Sequence, residues 1–282
     1  MADSLIDGSA RREGGGPMGE CVIGPDERAR VDADDGFFFG MGAFETIAVS
    51  GGAPVFLDDH LTRLGETLRY LGIEARRADL ETMVLRACAG LGASDDSALK
   101  LTVTERNRVV SLRRNPYAAP GAKRVFRCDF ADVRRNESSP FARMKTLAYA
   151  ENIMEKRRAR GRAVDEPLFL NTRGEVAEGA VSNIFAVIGG DVVTPPVSCG
   201  LLPGVMRHAV IGFTGAVERP IMPDELLRAD EVFLTNSLMG AMPVAGIGGV
   251  EFEPGSVSRD VNDAYARMVA RTRARAQTKE FR

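Results

Sequence analysis

The sequence predicts a mixed α+β / α/β protein of two domains, a small N-terminal α/β domain and a larger, β-rich C-terminal domain with helices. Three observations predict it. Strand-like and helix-like periodicities interleave over residues 20–130. A polar run ending in proline, ADVRRNESSP (131–140), reads as an interdomain linker. Beyond it, over 141–282, strand-like runs separated by Gly-containing turns dominate, with helices among them. A chain of 282 residues suffices for two ordinary domains with real cores.

The first residues, 1–19, form a Gly-rich leader with no apolar h-region, too polar to bury much, and are left out of the fold. Asp35 and Gly36 precede an aromatic, Gly-rich run from Phe37 to Gly42. AFETIAVSGGAPVFL reads as two strands around a Ser50-Gly51-Gly52 turn. Asp58 and Asp59 can start a helix after Leu57. That helix carries Leu61, Leu64, Leu68 and Leu71 at helical spacing and ends near Gly72. A second helix fits Leu80 to Ala89, and residues 98–111 and 122–130 look like strands. After the linker, Lys145 precedes a helix expected from Ala148 to Arg160. PLFLNTRGEVAEGAVSNIFAVIGGDVVTPP then reads as a three-stranded meander that turns at Thr172-Arg173-Gly174 and Gly189-Gly190-Asp191. A helix opens at Leu202-Pro203-Gly204. A last pair of elements surrounds DEVFLTNSLMGAMPV, and a helix ends the chain.

Composition excludes several classes of function. Lys plus Arg is 37 against 39 for Asp plus Glu, a balance that argues against a nucleic-acid partner. The basic runs 155–162 and 271–282 lack interleaved aromatics and read as solvated helix faces and a fraying tail. No apolar run approaches a membrane span. Four scattered cysteines without a CxxC, and only His60 and His208, make a metal site improbable and suggest reduced thiols in a cytoplasmic protein.

The most informative stretch is EGAVSNIFAVIGGDVVTPPVSCGLLPGVMR, from Glu178 to Arg207. Glu178 is followed five residues on by Asn183, then by Ile184 and Phe185. Thr194 closes the next strand, and Gly204, Val205 and Arg207 open a helix. This resembles the signature of the class IV aminotransferase and aminodeoxychorismate lyase family, whose members use pyridoxal 5'-phosphate (PLP) and share the two-domain, fold type IV, D-amino-acid-aminotransferase-like architecture. The resemblance spans roughly 21–270 and implies a cofactor site made of a lysine, an acid and an anion cradle.

In that resemblance Glu178 stands beside the cofactor's ring nitrogen and keeps it protonated; outside the pattern it would read as a surface glutamate. Val205 and Met206 begin a helix, where backbone N–H groups lack intrahelical partners and can face a phosphate. DHLTRL (59–64) resembles the family's His-x-x-Arg-Leu segment, so that Arg63 would clamp the phosphate with two parallel hydrogen bonds. His60, one turn earlier, is either part of the site or a packed histidine. FFFGMGAFETIAV resembles the family's Gly-x-Gly-x-Phe-Glu-Thr strand, which helps line the site. Lys145 precedes Glu178 by 33 positions, close to the family's separation, and is the lysine expected to bond the cofactor. Acting as a base requires a lowered pKa, which burial beside cationic groups would provide. Lys156 sits in a charge run that looks solvated. Relatives often carry Asn three residues after the lysine. This chain has Ala148, and then Tyr149, which either binds the cofactor's phenolic oxygen or is a structural tyrosine.

Thr235-Asn236-Ser237-Leu238-Met239 is similar to the lyases of the family, where transaminases tend to have Gly-Thr-Ala, and Asn236 and Ser237 would complete the phosphate site. TERNRVVSLRR lacks the His of the Arg-x-His pair with which D-amino-acid enzymes hold a substrate carboxylate. Arg106 is the candidate there, against a plain surface arginine. The resemblance therefore implies an aminodeoxychorismate lyase that makes 4-aminobenzoate, an intermediate of folate biosynthesis, with pyruvate. The alternatives are an aminotransferase for branched-chain or D-amino acids and a non-catalytic PLP-binding protein. It also implies a homodimer with a small-molecule substrate.

Overall fold

Alternating short runs of Ala, Val, Ile and Leu pair into the first sheet. A computed structural model describes residues 19–24, 27–92, 95–118, 121 and 124–280; the expected leader falls outside these up to position 18. The first unit contains β1 (Glu20–Ile23), α1 (Asp35–Phe39), β2 (Gly42–Ser50), β3 (Ala53–Pro54), α2 (Leu57–Leu71), α3 (Arg77–Cys88), β4 (Asp96–Thr104) and β5 (Arg108–Arg114). The sheet order is β1-β5-β4-β2-β3. Leu61, Leu64 and Leu68 of α2 lock against Ile47, Leu99 and Leu101, each burial contributing about 1.5–3 kcal/mol before entropy. Gly72 ends α2 in the left-handed region at φ 70°, returning its N–H to the Leu68 and Arg69 carbonyls. The same helical face carries His60, Arg63 and Thr67 inward, because positions three and four apart share a face.

The expected strand 98–111 is a hairpin. Glu105-Arg106-Asn107 turns between β4 and β5 without Gly or Pro, the signal that periodicity looks for. The buried Asp34 carboxylate makes the turn possible: it accepts from Thr104 Oγ1 (2.5 Å), the Arg106 N–H (2.9 Å) and Asn107 Nδ2 (3.1 Å). The aromatic run is partly helical, and α1 leaves Phe37, Phe38 and Phe39 exposed.

The second unit holds β6 (Phe126–Arg135), α4 (Ala150–Gly161), β7 (Glu166–Asn171), β8 (Val176–Gly179), β9 (Asn183–Ile188) and β10 (Asp191–Thr194). It continues with α5 (Val205–Thr214), β11 (Val217–Glu218), α6 (Pro223–Leu226), β12 (Glu231–Asn236), β13 (Gly240–Ile247), β14 (Val250–Glu251) and α7 (Val257–Glu280). Its sheet runs β11-β10-β9-β12-β13-β6-β7-β8, with β14 on β13. Leu168, Ile184, Leu234, Val244 and Ile221 fill its core, and Phe185 stacks on Phe233 at 5.2 Å. The whole is a two-domain α+β architecture.

Three expectations change here. The first half of the expected linker is strand, since β6 runs to Arg135 across a bulge and its charged end is buried by salt bridges rather than by apolar contacts. The meander is four strands, not three: the chain breaks at Ala180-Val181-Ser182, so β8 pairs with β7 while β9 pairs with β10 and β12. The charge run of α4 is not all solvated. Glu155 is buried, and Lys156 forms an ion pair with the fully buried Glu166, whose other oxygen accepts from the Val181 N–H and Ser182 Oγ.

Candidate active site

The segment carrying Lys145 leaves its own domain and pairs with the start of β2. The Phe44 N–H donates to the Lys145 carbonyl and the Leu147 N–H to Gly42, both at 2.9 Å, around an Ala43–Thr146 bridge. This fixes Lys145 at the junction, with its Nζ 4.6 Å from the Phe44 ring centroid and 5.4 Å from that of Tyr149. The amine ends in a cavity of about 480 Å³, lined from both domains and within the usual range for small-molecule sites.

Lys145, Glu178, Arg63 and Tyr149 all line this cavity, as do Val205, Met206, Asn236 and Ser237. Arg106 does not; it is exposed at the β4–β5 turn, with its backbone N–H on Asp34. Of the other signature residues, Thr194 donates to the Ile184 carbonyl (2.8 Å). Arg207 donates to Pro195 (2.8 Å) and pairs with Glu218, so Thr194 ties β10 to β9 and Arg207 ties α5 to the sheet; neither lines the cavity.

Burial lowers the Lys145 pKa from 10.5 to about 8; the charge of Arg63 adds to this, and Glu45 and Glu178 only partly oppose it. Glu178 moves the other way. Burial pushes its carboxyl up to about 7, although the Arg135 charge, the Leu202 N–H and Lys145 favour ionisation. It accepts from Leu202 N (3.1 Å), Arg135 (3.3 Å) and, weakly, Asn183 Nδ2 (3.4 Å). An amine and an acid are thus both displaced towards neutrality in one cavity, the condition for moving protons near pH 7.

Arg63 is more committed than its sequence context suggests. Its Nε and one NH2 proton go to the two oxygens of Glu45 (2.8 and 2.6 Å), and NH1 reaches the Pro203 carbonyl (3.0 Å). Two of the five guanidinium N–H bonds remain for a ligand. His60 Nδ1 also bonds Glu45, at 2.7 Å; burial lowers the imidazole pKa, and among the described residues its Nε2 has no partner. Tyr149 spends its hydroxyl proton on the Ala180 carbonyl (2.9 Å), and burial raises its pKa. Gly204 caps α5 where an added Cβ would lie 2.0 Å from Asn183 Oδ1, and Asn183 Nδ2 holds the Leu202 carbonyl (2.9 Å). The Asn236 carboxamide closes its own turn, accepting from the Leu238 and Met239 N–H groups and donating to Val181.

Several functional residues escape sequence reasoning. Glu45 anchors Arg63, and its signal is a lone acid within nine strand residues, eight of them buried. Arg135 lies over the Phe169 ring (4.1 Å to centroid) and pairs with Glu178 and Glu151, and Asn152 bonds both it and Ala180. Its polar neighbours gave no sign of this.

The Lys145 environment makes a direct prediction. In the ligand-free protein, acetic anhydride labelling of Lys145, read by mass spectrometry, should be half-maximal near pH 8. Labelling in step with exposed lysines, above pH 10, would contradict the burial argument.

Comparisons with known proteins point to one family. Residues 42–247 match the family model of amino-transferase class IV. The chain is 28% identical over 254 residues to an aminodeoxychorismate lyase of Bacillus subtilis, covering 82% of this chain and 85% of that protein. It is 27% identical over 263 residues to a D-alanine aminotransferase of Bacillus licheniformis, covering 85% and 92%. The crystal structure of a 4-amino-4-deoxychorismate lyase from Pseudomonas aeruginosa superposes with a TM-score of 0.75 at 30% identity, covering 84% of this chain and 95% of that one.

Proposed function

The chain belongs to the amino-transferase class IV family, and from that premise we propose that it is a PLP-dependent lyase converting 4-amino-4-deoxychorismate to 4-aminobenzoate and pyruvate. At the coarser level it is a PLP-dependent enzyme acting on an amino-acid-like substrate. The residues fit the cofactor. The carboxyl of Glu178, pushed to about 7 by burial, has unspent affinity for a cationic ring N–H. Two N–H bonds of Arg63, the free N–H groups at the start of α5 and the Asn236-Ser237 turn make a donor set for a phosphate dianion.

The bound cofactor supplies an electron-withdrawing ring that stabilises negative charge on the carbon bearing the substrate's amine. Lys145 is the residue that would hold the cofactor covalently, and its free amine would take the proton from the carbon bearing the substrate's amine. A pKa near 8 leaves an appreciable fraction of the amine free at neutral pH. Glu178, steadied by Arg135, would hold the ring nitrogen's proton. Phe44 and Tyr149 wall the amine from water, meeting edge to face at 5.3 Å.

The observation that favours elimination over transamination is the Thr235-Asn236-Ser237-Leu238 segment in the wall of the Lys145 cavity, which resembles the lyases of the family where its transaminases tend to have Gly-Thr-Ala at positions 235–237. Purified protein with 4-amino-4-deoxychorismate should form 4-aminobenzoate without any 2-oxo acid. Glutamate from amino acids plus 2-oxoglutarate, with no 4-aminobenzoate, would instead establish the transaminase. We place the enzyme in the cytoplasm as a homodimer, and the exposed Phe37-Phe38-Phe39 edge supports a partner surface. Among the described residues no helix is long and apolar enough to cross a membrane.

A further inference from the structure

The charges lining the Lys145 cavity do not balance. Six are cationic (Arg63, Arg113, Arg134, Arg135, Lys145 and Arg160), and two are carboxylates, Glu151 and Glu178. Arg135 takes both carboxylates, and Arg63 takes Glu45 from behind. The side chains of Arg113, Arg134 and Arg160 form no hydrogen bond or ion pair with any described residue. They arrive from three separate elements: the end of β5, β6 and the last turn of α4. Arg113 and Arg160 both act electrostatically on the hydroxyl of Tyr117, another wall residue, which also feels the Asn236 side chain. Arg113 and Arg160 thus share the Tyr117 side of the cavity, and Arg134 lines the same cavity.

Like charges converging on one cavity repel unless a ligand neutralises them. The cofactor's phosphate has its own donors in Arg63, α5 and Asn236-Ser237. A simple amino acid brings a single carboxylate, fewer than three guanidinium groups can hold.

We propose that Arg113, Arg134 and Arg160 form a specificity subsite for a second substrate carboxylate, so that the enzyme selects dicarboxylates over monocarboxylates. The proposal rests on reading the Lys145 cavity as the substrate site and gives the assigned substrate, which carries two carboxylates, a reason to bind. Arg106, at the outer turn, has no part in it.

The test is calorimetric titration of the holoenzyme at low salt with benzene-1,3-dicarboxylate and with benzoate, which share a ring and differ by one carboxylate. The dicarboxylate should bind at least about tenfold more tightly, and the advantage should shrink as salt rises. Arg113→Gln, Arg134→Gln and Arg160→Gln should each weaken the dicarboxylate several-fold while leaving benzoate within about twofold. All three residues are exposed, so the variants should fold. Equal binding of the two acids, or three variants that bind the dicarboxylate like the wild type, would overturn the subsite. A dicarboxylate preference without 4-aminobenzoate formation supports the subsite while removing the lyase reading; 4-aminobenzoate formation without the preference removes the subsite alone.

Discussion

Lys145→Ala should cut turnover by a factor on the order of 10⁴ or more, because in the proposed function one side chain would both hold the cofactor and move the substrate proton. The absorbance band of covalently held PLP should vanish, and the cofactor should wash out on gel filtration. The fold should survive. In the free site the Lys145 amine is destabilised by burial and by Arg63, which is why its pKa falls to about 8. A depressed lysine pKa means that folding disfavours the charged form. Below about pH 8 the wild type bears that penalty and the variant does not, so unfolding in urea should show stability retained or raised. Activity lost together with stability would mean that Lys145 is structural. A cofactor band that persists would refute its central role.

Glu45→Ala should give the largest loss of stability, about 3–5 kcal/mol, because it strands the nearly buried Arg63 guanidinium and removes the carboxylate partner of His60 Nδ1. Burial opposes ionisation of Glu45, yet Arg63 and His60 overcome it and hold its pKa near 2, below the ordinary 4.5. A depressed carboxylate contributes stability in full above 4.5, and that contribution is lost as pH falls through about 2. Wild type should therefore lose stability across this acid window, and Glu45→Ala should lose less there. Glu45→Gln keeps the shape and one acceptor and should cost less, but it too removes the negative charge that raises the Lys145 pKa, so labelling of Lys145 should shift below pH 8 in both variants. Urea titration against pH checks the first claim and mass spectrometry the second. Stability unchanged in Glu45→Ala would show that Arg63 finds other partners.

These two residues also mark how far the sequence could be read. Lys145 was legible through its separation from Glu178, and the α2 face through its leucine spacing. Glu45 stood in plain view in β2 but gained meaning only from what it meets across the domain. The break at Ala180-Val181-Ser182 is not legible because Ala180 and Val181 are apolar and read as a continuation of the strand. The turn at Glu105-Arg106-Asn107 was missed because Asp34, far away in sequence, supplies its hydrogen bonds.

The sequence by itself determined the two-part α+β organisation, the longer helices and most strands, and the cluster from Glu178 to Met206, because periodicity and turn chemistry act over a few residues. Only the tertiary structure decided that Arg63 is shared with Glu45, that Arg135 is a buried strand residue supporting Glu178, and that three arginines converge where Arg106 does not. The cost of a charge depends on its burial and its partners, and both are set by strands that pair across the fold, so no local pattern records them.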